Sequence, residues 1–440
     1  MNTCFADPSD AIARIEAARI EGRVRGVSGL ILTACGLAGF AEVGQRCIVH
    51  GRDGPILGEV VGVDDPEIQI LPFGTWDGVA SGYRVEMLGQ DQLIRPDNGW
   101  IGRVIDALGN PVDNRGALPR GSSSRRLRGT PPPPFRRRKI GPRITTGLRS
   151  LDLFVPLCRG QRTGIFAGSG VGKTTLLSDL IRHAQADVFV IGLIGERGRE
   201  LASFLDSVLS DEGKDRSVIV VSTGDEPPLT RRQAAWTATA VAEHFRDEGL
   251  HVFLMIDSVT RFALAQREIG IAVGEPPAQR GFPPTTFSEL PRLVERAGPG
   301  ADPAGDITAV YTVLVDGDDL DDPVADGVRG MLDGHIVLDR SIAERGRFPA
   351  VDLLRSVSRM LPDCHSDREN ALLNEARVFL SKYNDLEELI KLGAYQSGSD
   401  PDVDQAIRVF DAVESLARQN PGECFTTAQS FDQLSAALRV

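Results

Sequence analysis

Apolar and polar positions follow two different spacings along this chain. Between about Gly22 and Gly89, short runs rich in aliphatic residues are separated by turn signals such as Asp53-Gly54-Pro55 and Asp64-Asp65-Pro66. The runs are Gly29–Leu32, Arg46–Val49, Gly58–Val61, Ile68–Leu71 and Tyr83–Glu86. Several short strands at this spacing predict a small β-barrel, which we assign to residues 22–92.

From about Thr145 the pattern changes to apolar runs of strand length with longer helical stretches between them. The strand-like runs are Thr163–Phe166, Val188–Ile194, Ser217–Val221, Val252–Ile256, Ile307–Val315 and Gly334–Leu338. Helical patterns at Thr174–His183 and Thr230–Glu248 fall between them. This alternation is typical of βαβ units and predicts an α/β domain with a parallel sheet over residues 93–365. A linker rich in Pro, Gly, Ser and Arg, residues 109–142, interrupts its start.

Both ends of the chain are predicted to be helical. Residues Asp10–Glu21 place isoleucines loosely on one face, so residues 1–21 are assigned to a short N-terminal helix, which is either a frayed terminus or a docking helix for a partner protein. After Ser366, apolar spacing predicts a C-terminal helical domain over residues 366–440. Its predicted helices are Asp367–Asn384, Leu386–Leu392 and Val403–Arg418. The predicted fold class is therefore α/β, with a small N-terminal β-barrel and a C-terminal helical domain.

Charge and composition indicate a globular protein with an acidic surface. The 440 residues are 41% hydrophobic and carry a formal net charge of −12. Such a surface repels nucleic acid and anionic lipid, so no nucleic-acid partner is expected. One basic cluster is an exception to this acidic surface and is either a solvated interdomain segment or a contact for an acidic partner or a membrane surface. It consists of Arg120, Arg125, Arg126, Arg128, Arg136, Arg137, Arg138 and Lys139.

Cysteine spacing and hydropathy predict a cytoplasmic location. The six cysteines form no CxxC pair, which favours reduced thiols. No apolar run reaches the length of a membrane span, and the N-terminus lacks the pattern of a secretory signal. Any work at a membrane would therefore require peripheral recruitment.

A phosphate-binding loop follows the run Thr163–Phe166. Three glycines, at 168, 170 and 172, let the backbone form a nest of N–H donors for the β-phosphate of ATP. Lys173 is predicted to reach the β- and γ-phosphate oxygens, and the Thr174 hydroxyl to bind Mg²⁺. Ala167 stands where the strict motif has glycine, which is a small change. The predicted nucleotide-binding residues here are Gly168, Ser169, Gly170, Val171, Gly172, Lys173, Thr174 and Thr175.

Two acidic residues follow apolar strands and complete the predicted site. Asp257 ends the run Phe253–Asp257, at the strand edge where ligands bind on parallel sheets, and is predicted to hold the Mg²⁺ shell. Glu196 emerges from the run ending at Ile194, where hydrolysis needs a group that positions or deprotonates water. Arg197 beside it is placed to bind the γ-phosphate or a neighbouring acid. The sequence thus predicts Mg-dependent ATP hydrolysis.

Several long motifs occur in order along the chain. They are Thr146–Asp152, Gly168–Thr174, Gly195–Glu200, Gly274–Pro277, Arg280–Pro284, Leu290–Gly298, Gly317–Pro323 and Pro349–Arg359. Together they resemble the rotary ATPase superfamily and are most similar to flagellar and type III secretion export ATPases. The resemblance extends from about Gly22 to Arg418.

The resemblance implies roles that spacing alone does not show. Glu196 matches the glutamate that activates water, and Arg261 matches an arginine near the γ-phosphate. Arg359 matches an arginine finger supplied to a neighbouring subunit. Phe348 matches an aromatic residue that stacks on adenine. The stretch containing Glu275 and Gln279 faces the central pore in relatives.

Because one chain carries both Glu196 and the finger Arg359, identical copies can build complete sites between them, which allows the homohexameric ring expected from the resemblance. The resemblance further implies a regulatory stator-like protein at the N-terminal helix, export chaperones and substrates, and a membrane export gate contacted peripherally. Hydrolysis would release chaperones and unfold substrates for flagellar export.

Four alternatives stay open to different degrees. The injectisome version of the same ATPase is barely separated from the flagellar one by motifs. A catalytic subunit of a rotary ATP synthase usually has a longer C-terminal domain than residues 419–440 supply. An RNA translocase would need a barrel rich in basic and aromatic residues to stack bases. The predicted barrel, Gly22–Gly89, is not basic, which disfavours this function. A non-catalytic nucleotide-binding subunit is disfavoured by Lys173 and Glu196.

Overall fold

The computed structural model describes residues 19–89, 92–207, 213, 215–315, 317, 319 and 321–439. Most of the predicted N-terminal helix lies outside these residues. Its last part is wrong, because Arg19 and Ile20 are not helical and Glu21 begins a strand. That strand pairs through its backbone with a neighbouring strand on each side. The weak isoleucine spacing in the sequence gives no sign of this pairing.

The first compact unit is a closed six-stranded barrel with the strand order β1-β2-β5-β4-β3-β6, which confirms the predicted barrel. Alternating side chains such as Leu32, Ala34, Cys47 and Val49 fill its interior. The sequence pattern missed β1, whose alternation is carried by only one large inward residue, Val24. The strands are β1 Glu21–Ser28, β2 Ile31–Cys35, β3 Arg46–Gly51, β4 Gly54–Asp64, β5 Glu67–Pro72 and β6 Arg84–Met87.

The second compact unit is built on a mostly parallel sheet with the order β17-β16-β10-β15-β13-β11-β12-β8. Strand β14 pairs with β15, and β7 pairs with β9 apart from this sheet. The strands are β7 Leu93–Ile94, β8 Val104–Ile105, β9 Arg125–Arg126, β10 Arg162–Ala167, β11 Val188–Glu196, β12 Ser217–Thr223, β13 His251–Asp257, β14 Gly298–Pro299, β15 Asp306–Leu314, β16 Gly334–Leu338 and β17 Val357–Ser358.

Helices cover both faces of this sheet, so the central strands are apolar on both sides. In β13, Leu254 and Ile256 belong to one core, whereas Phe253 and Met255 belong to the other. This explains the continuous apolar runs in the sequence. The helices are α1 Arg149–Phe154, α2 Lys173–His183, α3 Gly198–Ser207, α4 Pro228–Asp247, α5 Val259–Ala272, α6 Pro284–Val294, α7 Pro323–Met331 and α8 Arg340–Glu344.

The C-terminal region consists of three helices, α9 Asp367–Lys391, α10 Pro401–Ala417 and α11 Thr427–Ala437. The predicted segments Asp367–Asn384 and Leu386–Leu392 form one continuous helix that ends at Lys391, and it starts at a capping box made by Ser366 and Glu369. Helix α11 was not among the predicted helices, although it lies within the predicted helical domain. It is stabilised by a second capping box, at Thr426, and by burial of Phe431 and Leu434.

Much of the basic cluster in the linker is structural. Arg125 pairs with Asp247, and Arg138 pairs with Asp306 at 2.6 Å. The guanidinium of Arg137 donates to backbone carbonyls after α6. These contacts fasten residues 125–138, so the interpretation as a solvated segment holds only for exposed members such as Arg120, Arg136 and Lys139.

The described residues also bear on the predictions about thiols and membranes. The five cysteines within them, Cys35, Cys47, Cys158, Cys364 and Cys424, carry free thiols. In that same part of the chain, none of the helices has both the length and the apolar character needed to cross a bilayer.

Candidate functional site

The phosphate-binding loop joins β10 to α2, as the motif requires. Strand β10 ends at Ala167 and α2 begins at Lys173. Gly170 and Gly172 have φ values of 80° and 91°, a left-handed conformation that glycine adopts without strain. The loop lines a cleft of about 660 Å³ at the carboxyl edge of the sheet. This cleft is where a polyphosphate would meet the N-terminus of α2.

Most of the predicted site residues line this one cleft. They are Gly168, Ser169, Gly170, Gly172, Lys173, Thr174, Glu196, Arg197, Asp257 and Arg261. Val171 instead points into the core, and Thr175 is exposed on the first turn of α2.

Asp257 is the buried carboxylate of the cleft. It ends β13, and its Oδ1 atom accepts hydrogen bonds from Lys173 Nζ and Thr312 Oγ1, each at 2.5 Å. Both bonds go to Oδ1, which leaves Oδ2 available for another ligand. Thr174 supplies a hydroxyl in the same cleft. Carboxylate and hydroxyl oxygens are hard donors that suit Mg²⁺, so these two residues fit the predicted metal shell.

Glu196 is the last residue of β11 and enters the cleft beside Asp257. Its Oε1 atom is buried, accepts no hydrogen bond and lies 4.0 Å from Lys173 Nζ. Burial, and then the Asp257 carboxylate, raise the pKa of Glu196 to about 7 despite the attraction of Lys173. The Glu200 carboxyl raises it further. A carboxyl that exchanges its proton near neutral pH is suited to act as a general base.

The two arginines of the cleft, Arg197 and Arg261, differ in how freely their side chains can move. Arg197 is exposed and lies 3.6 Å from Glu200. Arg261, on α5, packs against the backbone of Gly195, where an added Cβ would lie 3.2 Å from it. The Nε atom of Arg261 is buried without a hydrogen-bond partner. Arg261 is therefore held beside Glu196, whereas Arg197 can turn toward a ligand or a neighbour.

Phe348 and Arg359 lie outside the phosphate cleft. The Phe348 ring is 40% exposed and lies against Gly172, so it is placed beside the end of the loop rather than at the phosphates. Arg359 follows β17, at the sheet edge two strands away from β10, and is exposed. The chain does not bring Arg359 to its own cleft.

Sequence reasoning missed several residues that the fold adds to the site. The cleft is also lined by Leu193, Glu200, Leu201, Phe204, Leu314 and Val315. Glu200 lies on the first turn of α3, shortly after the predicted residues Glu196 and Arg197, so its proximity to them in the sequence could have identified it. Thr312 has no motif around it, and only strand pairing places it beside Asp257.

Family models match two parts of the chain. Residues 147–358 match the ATP synthase alpha/beta family, nucleotide-binding domain. Residues 365–436 match the T3SS EscN ATPase C-terminal domain.

Individual proteins match over nearly the whole length. The flagellum-specific ATP synthase of Caulobacter vibrioides is 47% identical over 436 residues, covering 98% of each chain. The type 3 secretion system ATPase of Xanthomonas euvesicatoria is 43% identical over 427 residues, covering 97% of this chain and 93% of the other. The assembled ATPase EscN of enteropathogenic E. coli superposes with a TM-score of 0.89 at 39% identity, covering 95% of this chain and all of that one. EscN in complex with its central stalk EscO gives a TM-score of 0.86 at the same identity and coverage.

Proposed function

This chain belongs to the family of flagellum-specific ATP synthases and type 3 secretion ATPases, and from that premise we propose that it drives flagellar protein export with Mg·ATP hydrolysed in the cleft described above. The observation that carries the site assignment is the convergence of Lys173, Asp257 and Glu196. One ammonium lies within 4.0 Å of both carboxylates, although the three residues come from three separate elements.

The residues of the cleft have different roles in ATP hydrolysis. Backbone N–H groups of residues 168–174 and the Lys173 ammonium bind the phosphate oxygens, while Thr174 and Asp257 hold Mg²⁺. When bound, this ion neutralises charge on the β- and γ-phosphates. Glu196 orients a water and accepts its proton as the water oxygen bonds to the γ-phosphorus and the bond to the bridging oxygen breaks. Arg261 and Arg197 stabilise charge on the transferred group.

The complete site requires a second copy of the chain. Arg359 is exposed and distant from its own cleft, so it is available to a neighbour's cleft. Identical copies that each give a finger and receive one form a closed ring with heterologous contacts. The close likeness to assembled EscN supports a homohexameric ring.

Membership of the same family also suggests the binding partners of this chain. EscN has been solved with a central stalk, and we propose that a stalk also enters the ring formed by this chain, near Glu275 and Gln279. Gln279 begins an exposed 3₁₀ turn, which Arg280 ties to Asp319 at 3.1 Å. We further propose a stator-like regulator at the N-terminal segment, export chaperones with their substrates, and a membrane export gate that recruits the ring peripherally from the cytoplasm.

The flagellar assignment is favoured over the injectisome by the higher identity to the Caulobacter protein, 47% against 43% for the Xanthomonas protein. The test is deletion of the gene in its own organism, followed by assays of motility, filament assembly and effector secretion. Loss of filaments supports the flagellar role, and loss of effector secretion with normal filaments would assign the injectisome instead.

Complementation of that deletion tests whether the cleft drives export. The wild-type gene and the variant Glu248→Gln, altered at an exposed residue after α4, are expected to restore filaments. Glu196→Gln is expected to fail at equal expression. Full restoration by Glu196→Gln would show that hydrolysis at this cleft does not drive export.

A further inference from the structure

Thr312 is a buried polar residue in an otherwise apolar part of strand β15. Its side chain is 0% exposed, and its sequence neighbours Tyr311 and Val313 pack into the core on the opposite face. Thr312 shares its own face with Val310, which belongs to the core beneath α2. A valine would fill the same space without a polar atom, so the hydroxyl costs free energy unless it has a partner.

The partner of Thr312 is set by the pairing of β13 with β15. Ile256 lies opposite Tyr311 in this parallel pair, and the next step along both strands brings Asp257 beside Thr312. The Thr312 hydroxyl lies 2.5 Å from Asp257 Oδ1 and 3.5 Å from the carbonyl oxygen of Ile256. Because a hydroxyl has a single hydrogen, it donates to the nearer and charged acceptor.

We propose that Thr312 is a positioning residue, which holds the Asp257 carboxylate in the orientation that receives the Mg²⁺ of Mg·ATP. The proposal rests on the role assigned above to Asp257. Lys173 also donates to Asp257 Oδ1, but it is expected to turn toward the phosphates when nucleotide binds. Thr312 is then the donor that keeps Oδ1 in place and directs Oδ2 into the cleft. Without it, the carboxylate turns more freely about its broad χ2 torsion.

A second threonine of the same strand provides a matched control. Thr308 is equally buried, and its hydroxyl accepts a hydrogen bond from the Gly160 N–H at 2.9 Å and contacts His251 Nε2 at 2.8 Å. It lies near the start of β15, at the edge of the sheet away from the cleft. Replacing Thr308 with valine therefore removes a buried hydroxyl from the same strand without touching Asp257.

The test compares nucleotide affinity with and without magnesium. We would titrate ADP, which is not hydrolysed, into wild type, Thr312→Val, Thr312→Ser, Thr308→Val and Asp257→Asn, in Mg²⁺ and in EDTA. The affinity gained on adding Mg²⁺ is expected to fall roughly tenfold in Thr312→Val, the size of one lost hydrogen bond to a charged group. Affinity in EDTA is expected to stay within about twofold of wild type, since the hydroxyl contacts no phosphate.

The other variants separate positioning from stability. Thr312→Ser keeps a hydroxyl and is expected to keep the magnesium gain, and Thr308→Val is expected to keep it even if its melting temperature falls. If Thr312→Val does not fold, Thr312→Ala makes the same comparison. An unchanged magnesium gain in the hydroxyl-deleted variant, or an equal loss in Thr308→Val, would overturn the proposal.

The variant Asp257→Asn separates a failure of the role proposed for Thr312 from a failure of the assignment of Asp257 to the metal shell. If this variant loses the magnesium gain while Thr312→Val keeps it, Asp257 acts as proposed and only the role of Thr312 is wrong. If Asp257→Asn itself keeps the gain, the assignment of Asp257 to the metal shell fails, and the role of Thr312 fails with it.

Discussion

The ammonium of Lys173 lies 2.5 Å from Asp257 Oδ1, and both residues line the cleft. The two residues are 84 positions apart in sequence, and they meet because the loop after β10 and the end of β13 reach the same edge of a parallel sheet. The same ammonium lies 4.0 Å from Glu196. A phosphate chain entering the cleft would compete with both carboxylates for this cation.

Replacing Lys173 with alanine is expected to remove ATP binding and turnover together. The cation is the side chain placed to meet the β- and γ-phosphates, and its loss leaves two carboxylates that repel them. We expect nucleotide affinity to fall by at least about tenfold, measured by calorimetric titration. Lys382→Ala, which breaks an ion pair with Asp402 far from the cleft, is the control and is expected to bind normally. Unchanged affinity in Lys173→Ala would contradict the phosphate-site assignment.

Replacing Glu196 with glutamine is expected to stop turnover while nucleotide still binds. The carboxylate acts on water, and the amide has almost the same size but cannot accept the proton. Loss of a general base costs roughly 10²–10⁴ in rate. Phosphate release and nucleotide affinity should be measured on the same preparation. Turnover close to wild type in this variant would show that another group activates the water.

The same substitution is expected to change how stability depends on pH. The pKa of Glu196 is raised from 4.5 to about 7, so the folded chain holds this proton where the unfolded chain has lost it. The contribution of Glu196 to stability is therefore greatest below about pH 4.5 and declines as pH rises to about 7. Above pH 7, Glu196→Gln is expected to be more stable than wild type, by at most about 3 kcal/mol.

Denaturant unfolding without nucleotide, from pH 5 to pH 8, measures this difference. It should grow with pH and then level off near neutrality. A difference that is constant over the whole range would mean that the Glu196 carboxyl is not perturbed.

Arg359 is expected to act only between subunits. Arg359→Ala should lose the rate gained on assembly, on the order of 10³ for an arginine finger. A mixing experiment tests this directly, because Arg359→Ala and Lys173→Ala are each expected to be inactive alone. In mixed rings, an intact Lys173 cleft can meet an intact Arg359 from its neighbour at about a quarter of the sites. Recovery of activity on mixing supports a finger in trans, and no recovery in verified mixed rings would argue for action within one chain.

Phe348 is expected to contribute to the affinity for the base. Its ring is half-exposed beside Gly172, so its removal should leave the fold intact. Stacking of a base on an aromatic ring predicts that Phe348→Ala weakens ATP binding roughly tenfold, while Phe348→Tyr binds normally. Inorganic triphosphate, which has no base, serves as the comparison. An equal loss of triphosphate binding would mean that the ring supports the loop instead.

Much of the site could be predicted because its signals are local. The glycines of the loop are needed for a backbone conformation that few other residues adopt, and Asp257 and Glu196 each end an apolar run. Parallel strands bring such ends to one edge, so their convergence followed from the predicted sheet. Strand β1 escaped prediction because backbone pairing on both sides, rather than apolar alternation, holds it.

The chemistry of the phosphate loop, the acidic strand ends and the order of the domains were determined by the sequence alone, because each depends on residues close together in the chain. The bond from Thr312 to Asp257, the raised pKa of Glu196 and the separation of Arg359 from its own cleft were decided only by the tertiary structure. They depend on strand order, register and burial, which bring together or keep apart residues that no local pattern connects.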